Sequence, residues 1–419
     1  MSEAKPAPVA VIVDGYSTGN FLPAAFGRLG VQVVHVQSTP ALMPSMLAPA
    51  LDNYAANVVH EGDLDATVAR LKEFEPIAVL AGQEPGVPLT DALSERLGLR
   101  TNGTALSSAR RDKFDMIEAV RAAGLRCAEQ LQSTEVGDIV AWAEQRAQYP
   151  VVVKPLSSAS TDNVYICHDA DQVRTASERV LAAEDIFDRR NTAVLVQSYL
   201  KGTEYIVDTV SVDGKPYVVG VWEYEKRVLD SGKNIYDRDV LRDPGEQPVP
   251  QLVEYVTRVL DALGVHNGPA HAEVMMTADG PALVEVGARL NGNMNPDLHN
   301  RCVGANQSDL IALAYSRPEE FLENYAGRVY TKRAEAVVHN TSTELSGVVK
   351  SVNQPVVDKI SALASVFLVS VKLAPGKQLK PTVDLLTSPL RIFMVADTKA
   401  ELDADHRAIQ ELKDQVYEI

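Results

Sequence analysis

Glu273 and Glu285 bracket two β-rich runs, Ala270 to Thr277 and Pro281 to Glu285, separated by Ala278-Asp279-Gly280. This pattern predicts a β-hairpin. With a three-residue loop and Gly280 in the left-handed region, Thr277 faces Pro281, Met275 faces Leu283 and Glu273 faces Glu285. Directly opposed side chains share one face of the hairpin, with Cβ atoms about 5 Å apart. Two bare carboxylates so placed repel unless a cation or a proton lies between them, and oxygen ligands with room for waters and phosphates suit magnesium. The plainer alternative is a solvated pair on an exposed face, and a two-residue loop sends the acids to opposite faces. Arg289 follows four residues after Glu285, amid Gly287, Asn291, Gly292 and Asn293. Those small residues leave space for a ligand, which favours the metal reading.

Two lysines stand where phosphate chemistry would need them. Lys154 ends the apolar run Val151–Val153, and the segment after Pro155 is small and hydroxyl-rich, with Ser157, Ser158, Ser160 and Thr161. Such a loop can lay N–H groups and hydroxyls over phosphate oxygens, and a strand-end lysine adds a point charge. Lys113 lies at the opening of a helix, where the dipole disfavours a cation; an anion held nearby would explain it. For either lysine alone, a solvated surface position is the alternative. A third piece is the strand end Gln197-Ser198-Tyr199-Leu200 followed by Glu204. A free strand-end backbone can read an adenine edge and a carboxylate can take ribose hydroxyls, although by itself this is a strand and a turn.

The elements that must carry these groups follow from periodicity. Val9–Val13 is a continuous apolar run ended by Asp14-Gly15, as in a parallel strand covered on both faces. A helix over about Phe21 to Leu29, strands Val31–Val36 and Ile77–Leu80, and a helix Leu89–Leu97 stopped by Gly98 give a βαβ rhythm and a small open α/β domain over residues 1–107. The loop Gly15 to Gly19 lacks a dinucleotide fingerprint and reads as a tight turn. Arg110-Arg111-Asp112-Lys113 opens the next helix, which ends at Gly124. Strands Val151–Val153 and Ala193–Val196 come next, then a hairpin Tyr205–Val212 and Tyr217–Trp222 about Asp213-Gly214. The polar stretch Glu225 to Pro250 has no period and reads as a mobile loop, and Leu252–Leu263 is an amphipathic helix. From Ala334 onward the chain is β-rich (Ala336–Val338, Val348–Val349, Val366–Val371, Leu390–Ala396) and closes with a charged helix, about Lys399–Leu412.

The chain has 419 residues, enough for two or three domains. Its 40 basic and 56 acidic residues leave a net charge of −16, which argues against nucleic acid or an anionic membrane as partner. The three cysteines, Cys127, Cys167 and Cys302, are odd in number and far apart, so a reducing compartment, the cytoplasm by default, is expected. No apolar run approaches the roughly 18 residues of a transmembrane helix.

Taken in order, these pieces resemble the ATP-grasp superfamily: helix-start lysine, strand-end lysine with a small-residue loop, hinge, two carboxylates on a late hairpin, and a following arginine. Within it, His271-x-Glu273 and Glu285-Val286-Gly287-Ala288-Arg289-x-x-Gly292 look most like the L-amino acid ligases of the bacilysin-synthetase type. Gly287 stands where many other members carry asparagine, Gln197 where the hinge often has glutamate, and Asn293 where a bacilysin-type ligase carries a bulky tryptophan. The resemblance implies an ATP-grasp fold of mixed α/β (α+β) class: an N-terminal α/β domain, an ATP-grasp domain over 108–317 with a lid-bearing part about 118–192, and a C-terminal, mainly antiparallel β subdomain over 318–419. It implies an ADP-forming ligase that joins two L-amino acids through an acyl phosphate. The alternatives are an ATP-grasp ligase with another acid or amine, or a carboxylase-type enzyme. Lys113, Lys154, Ser157, Ser158, Ser160, Thr161, Gln197, Ser198, Tyr199, Leu200 and Glu204 would bind ATP. Glu273 and Glu285 would bind one or two Mg2+ ions, with Mn2+ able to substitute. Arg289 and Lys154 would be catalytic. Glu84, His271, Arg289, Asn291, Gly292 and Asn293 would face the substrates, with Glu84 and His271 open as bases and His271 equally as an orienter of Glu273. A homodimer is the family expectation.

Overall fold

The computed structural model describes residues 7–146, 149–157, 163–184, 190–228 and 234–419. The first unit contains β1 (Val9–Val13), α1 (Leu22–Arg28), β2 (Gln32–Gln37), β3 (Asn57–Val59), α2 (Leu64–Lys72), β4 (Pro76–Ala81) and α3 (Val87–Arg96). Its sheet is parallel, in the order β3-β2-β1-β4. β1 is buried on both faces, as its unbroken valine and isoleucine run requires. The ends of β1 and β4 pack backbone to backbone. A Cβ on Gly82 would lie 2.6 Å from Gly15 Cα, and one on Gly86 would lie 2.6 Å from Val13 O.

The next unit holds α4 (Lys113–Ala122), β5 (Gln130–Ser133), α5 (Val136–Arg146), β6 (Val151–Pro155), β7 (Tyr165–Cys167), α6 (Ala170–Ala182) and β8 (Val194–Ser198). Its antiparallel sheet, β5-β8-β6-β7, packs an aliphatic core against α5 and α6. The helix expected to open at Arg110 begins at Lys113, because Asp112 caps it by accepting from Phe114 N and Asp115 N at 2.9 and 3.0 Å. Arg110 and Arg111 precede it.

The remaining elements build one large sheet. They are β9 (Gly202–Val212), β10 (Lys215–Val228), β11 (Asn234–Leu241), α7 (Val249–Ala262), β12 (Gly268–Thr277), β13 (Gly280–Gly287), α8 (Pro296–Cys302), α9 (Gln307–Ser316), α10 (Pro318–Asn324) and β14 (Glu335–Asn340). Then come β15 (Gly347–Val348), β16 (Ser351–Val352), α11 (Gln354–Ser361), β17 (Val366–Val371), β18 (Gln378–Leu379), β19 (Leu390–Ala396), α12 (Lys399–Leu412) and β20 (Tyr417–Glu418). Eight strands pair antiparallel in the order β13-β12-β9-β10-β11-β14-β19-β17, so the C-terminal strands continue the sheet that holds Glu273 and Glu285. The hairpin at Asp213-Gly214 has both residues at positive φ, +50° and +74°, the type I′ turn its sequence favours. The mobile loop expected from Glu225 is instead largely strand: β10 runs to Val228 and β11 resumes at Asn234. Several of its polar residues are ion-paired within the fold (Glu225 with Arg238, Lys226 with Glu204), which hides the two-residue alternation.

Candidate active site

The hairpin turn has two residues, not three: Thr277 pairs with Gly280 and Met275 with Ala282. A plain two-residue hairpin would place Glu273 opposite Val284. The register shifts by one between Glu273 and Val274, and Glu273 comes back opposite Glu285. A β-bulge thus restores the face-sharing that the shorter turn would have lost.

Cations crowd this pair. Lys113 at the first turn of α4 is ion-paired to Glu285 Oε2, and its backbone N–H donates to Leu156 O at 3.0 Å, tying α4 to the segment after Lys154. Lys154 is buried. Burial and then the charge of Lys113 lower it to about 8, against the pull of Glu285, Glu273 and Glu204. Burial pushes the Glu285 carboxyl up, but Lys113, Lys154 and Arg289 together hold it well below the ordinary range. Arg289 Nε donates to Glu84 Oε2 at 2.9 Å, and Arg111 Nη1 lies 3.5 Å from Glu84 Oε1. Glu84 therefore sits between two guanidiniums. Gly287 makes room for this pair, since a Cβ there would meet Glu84 Oε2 at 2.9 Å and Arg289 Nε at 3.1 Å.

His271 Nδ1 lies 2.8 Å from Asp208 Oδ1 and its Nε2 lies 3.4 Å from Glu273 Oε1. Burial pushes the imidazole down, the two carboxylates push it up by more, and it settles at about 9. Its two ring nitrogens thus tie Asp208 to Glu273. Asn291 Nδ2 donates to Asp208 Oδ2 at 2.7 Å, and Asn291 Oδ1 accepts from Asn293 N at 2.7 Å. Asn293 Nδ2 in turn donates to Asp239 Oδ2 at 2.8 Å. Burial lifts Asp239 to about 7 against Asn293, Arg391 and His271.

Glu204 is buried, bonded to Lys226 Nζ at 2.5 Å and near Tyr236 Oη at 3.3 Å. Burial raises its carboxyl, with Lys226 opposing. Gln197 commits its amide to Gln130 Oε1 at 2.9 Å, and its backbone lies within the sheet, opposite Gln130 on one side and Val152 on the other. Ser198 is engaged with Glu129, its hydroxyl accepting from Glu129 N at 3.0 Å, while Tyr199 is exposed. Ser158, Ser160 and Thr161 lie outside the described residues. Lys113, Lys154, Glu204, Glu273, Glu285, Arg289, Glu84, His271, Asn291 and Asn293 thus form one connected network of bonds and charges. Ser157 follows Lys154 at the edge of the described segment.

The chain resembles dapdiamide A synthase of Enterobacter agglomerans at 32% identity, over 98% of its own length and 97% of that protein. The model of the ATP-grasp domain matches residues 147–297. The chain belongs to the ATP-grasp ligases. The L-arginine-specific L-amino acid ligase of Bacillus subtilis is 23% identical over 59% of this chain and 61% of that one. The solved L-amino acid ligase from Bacillus licheniformis superposes with a TM-score of 0.76 at 20% identity, covering 98% of each chain. The ligase is therefore ATP-dependent. No helix among its described residues is long and apolar enough to cross a membrane.

Sequence reasoning missed Asp208, Asp239, Tyr224 and Tyr236 in this ligase. Tyr224 Oη lies 3.4 Å from Glu273 Oε1. The available signal was an acid inside an otherwise apolar strand, Val207-Asp208-Thr209-Val210 and Asp239-Val240-Leu241. A buried carboxylate is rare without a task or a partner.

Proposed function

We propose that this ligase joins two L-amino acids, using ATP to activate the carboxylate of the first. The carrying observation is the facing pair Glu273 and Glu285 with Lys113, Lys154 and Arg289 gathered against it. Facing carboxylates at the end of a phosphate-binding cradle are an all-oxygen donor set that fits Mg2+. When bound there, the metal would neutralise charge on the β- and γ-phosphates. Lys113 and Lys154 position the α- and β-phosphates. Ser198 to Leu200 present backbone to the adenine, and Glu204 takes the ribose hydroxyls.

The donor carboxylate oxygen attacks the γ-phosphorus. A new O–P bond forms, the bond to the β-phosphate oxygen breaks, and ADP leaves. The acceptor amine then attacks the acyl carbon, the C–N bond forms as the acyl C–O bond breaks, and inorganic phosphate departs carrying the proton that the amine gives up. Arg289 holds the donor carboxylate and then the oxyanion of the tetrahedral intermediate, with Glu84 fixing its guanidinium plane. Loss of such a donor raises the barrier by about 3–4 kcal/mol.

The test is phosphate release over a matrix of amino-acid pairs with ATP and magnesium, with products weighed by mass spectrometry. Dipeptide and ADP are expected, and hydroxylamine should trap a hydroxamate from the donor alone. Release of AMP would overturn the acyl-phosphate route. A second reading, with a donor or acceptor other than a plain amino acid, draws on the higher identity to dapdiamide A synthase, and non-proteinogenic acids and amines in the same matrix separate the two.

A further inference from the structure

Four strands carry a polar row that the chemistry above leaves unused. Tyr224 pairs with Asp239 across β10 and β11, Asp239 with Val338 across β11 and β14, and Asn340 with Arg391 across β14 and β19. Opposed residues share a face and every second residue returns to it, so Tyr224, Asp239, Asn340 and Arg391 stand on one face of the sheet. Tyr224 reaches toward Glu273, so this is the face of the carboxylate pair. The loop after β13 closes over it. Arg391 Nη1 lies 3.5 Å from Gly292 O, and the next residue, Asn293, bonds Asp239. Two consecutive loop residues thus draw a guanidinium and a carboxylate toward one spot.

Two polar atoms there have no hydrogen-bond partner among the described residues: Asp239 Oδ1 and Asn340 Nδ2. Their residues are 2% and 1% exposed. An orphaned buried polar group is costly, and native structures seldom keep one without a ligand or a water to meet it. Arg391 commits Nε to Asn340 Oδ1 at 3.2 Å and does not pair directly with Asp239, although each feels the other's charge. An acceptor for a cation and donors for an anion therefore lie side by side, as the complement of an α-amino acid zwitterion. During amide formation only the incoming amino acid carries both groups free, because the donor's carboxylate is already activated.

We infer that Asp239, Arg391 and Asn340 form the subsite of the acceptor amino acid: Asp239 Oδ1 accepts from its α-ammonium, and Arg391 with Asn340 Nδ2 holds its free α-carboxylate. This rests on the ligase reading above and adds where the second substrate lies.

Three probes test it: the best acceptor of the matrix, that acceptor's carboxamide, and hydroxylamine, which has neither charged group. Wild type prefers the free acid to the carboxamide. Arg391→Met lowers kcat/KM for the acid at least about tenfold, as loss of one partner of a buried charge pair does, and brings it level with the carboxamide. Arg391→Lys restores part of the preference. Asp239→Asn raises KM for acid and carboxamide alike. In both Arg391 variants hydroxamate formation from the donor stays near the wild-type rate. A retained preference for the acid in Arg391→Met overturns the subsite, as does hydroxamate formation that falls along with dipeptide formation. A wild-type enzyme that makes dipeptide while Arg391→Met keeps its acceptor KM sinks this inference alone; one that makes neither product sinks the ligase reading with it.

Discussion

Gly287 owes its place to an atom it lacks. Its missing side chain is where Glu84 and Arg289 meet. Gly287→Ala is expected to fold normally and to push the guanidinium off its carboxylate. Because a misplacement of about 1 Å can cost a hundredfold, kcat should drop steeply while the thermal midpoint stays put. Steady-state kinetics beside a melting curve reads this, and an unchanged kcat would show that the pair has slack. Lys154 gives a second residue-scale expectation. In the function proposed above its charged form would bind phosphate oxygens, and burial beside Lys113 has brought its titration down to about 8. Affinity for ADP should therefore weaken as pH rises through 8, and Lys154→Met should bind weakly with the pH dependence gone. Calorimetric titrations between pH 7 and 9 that give a flat wild-type affinity would refute this. At this scale much was legible. Glu273, Glu285, Arg289, Lys113 and Lys154 announce themselves because their charges interrupt apolar or small-residue runs. Asp239 and Arg391 did not, because their chemistry arises only when β11 and β19 are brought into register across β14.

Among the elements, the β12–β13 hairpin shows how a sequence argument can reach the right pair through the wrong turn. Gly280 was expected in a three-residue loop; it lies at φ +112° and pairs with Thr277 across a two-residue turn, and the bulge further down supplies the missing residue of offset. Nothing in Val274 or Val284 marks a bulge, so turn length was not readable from the sequence. β3 and α2 also went unread, β3 because it has three residues and α2 because only Thr67, Val68 and Leu71 face inward. α12, by contrast, occupies Lys399–Leu412 as its periodicity and its Thr398/Glu401 capping box require. Where α12 packs on β14, His339 is fully buried, its Nδ1 2.9 Å from Asp237 O and its Nε2 3.0 Å from Gln410 Nε2. Burial first, then Arg238 and Arg227, lower it to about 4. The unfolded chain then binds more protons than the folded one between about pH 4 and 6.5. The stabilising contribution is full above 6.5 and is lost as pH falls toward 4, on the order of 3 kcal/mol. Urea unfolding at pH 7 and pH 5 should show about 2 kcal/mol of this loss in wild type and a shallower one in His339→Gln; parallel losses would place the acid sensitivity elsewhere.

For the molecule as a whole, the first unit is locked to the ligase body by Arg110. Its guanidinium bonds Asp91 at 2.9 Å and reaches Leu263 O at 3.0 Å, both buried, and donates to Gly103 O at the edge of the core. Removing one partner of such a pair leaves a buried charge. Arg110→Met is therefore expected to lose about 3–5 kcal/mol, and Arg110→Met with Asp91→Leu to regain much of it. Equilibrium unfolding of the three proteins measures this, and a double variant no better than the single would mean that the carbonyl contacts dominate. Continuity of the eight-stranded sheet has a consequence for how such enzymes can be cut and recombined. Severing the chain after residue 317 would not free a dispensable tail. It would strip β11 of its neighbour and leave a raw row of amides and carbonyls open to the next chain in the cell, so a shortened gene product should precipitate rather than survive as a slower catalyst.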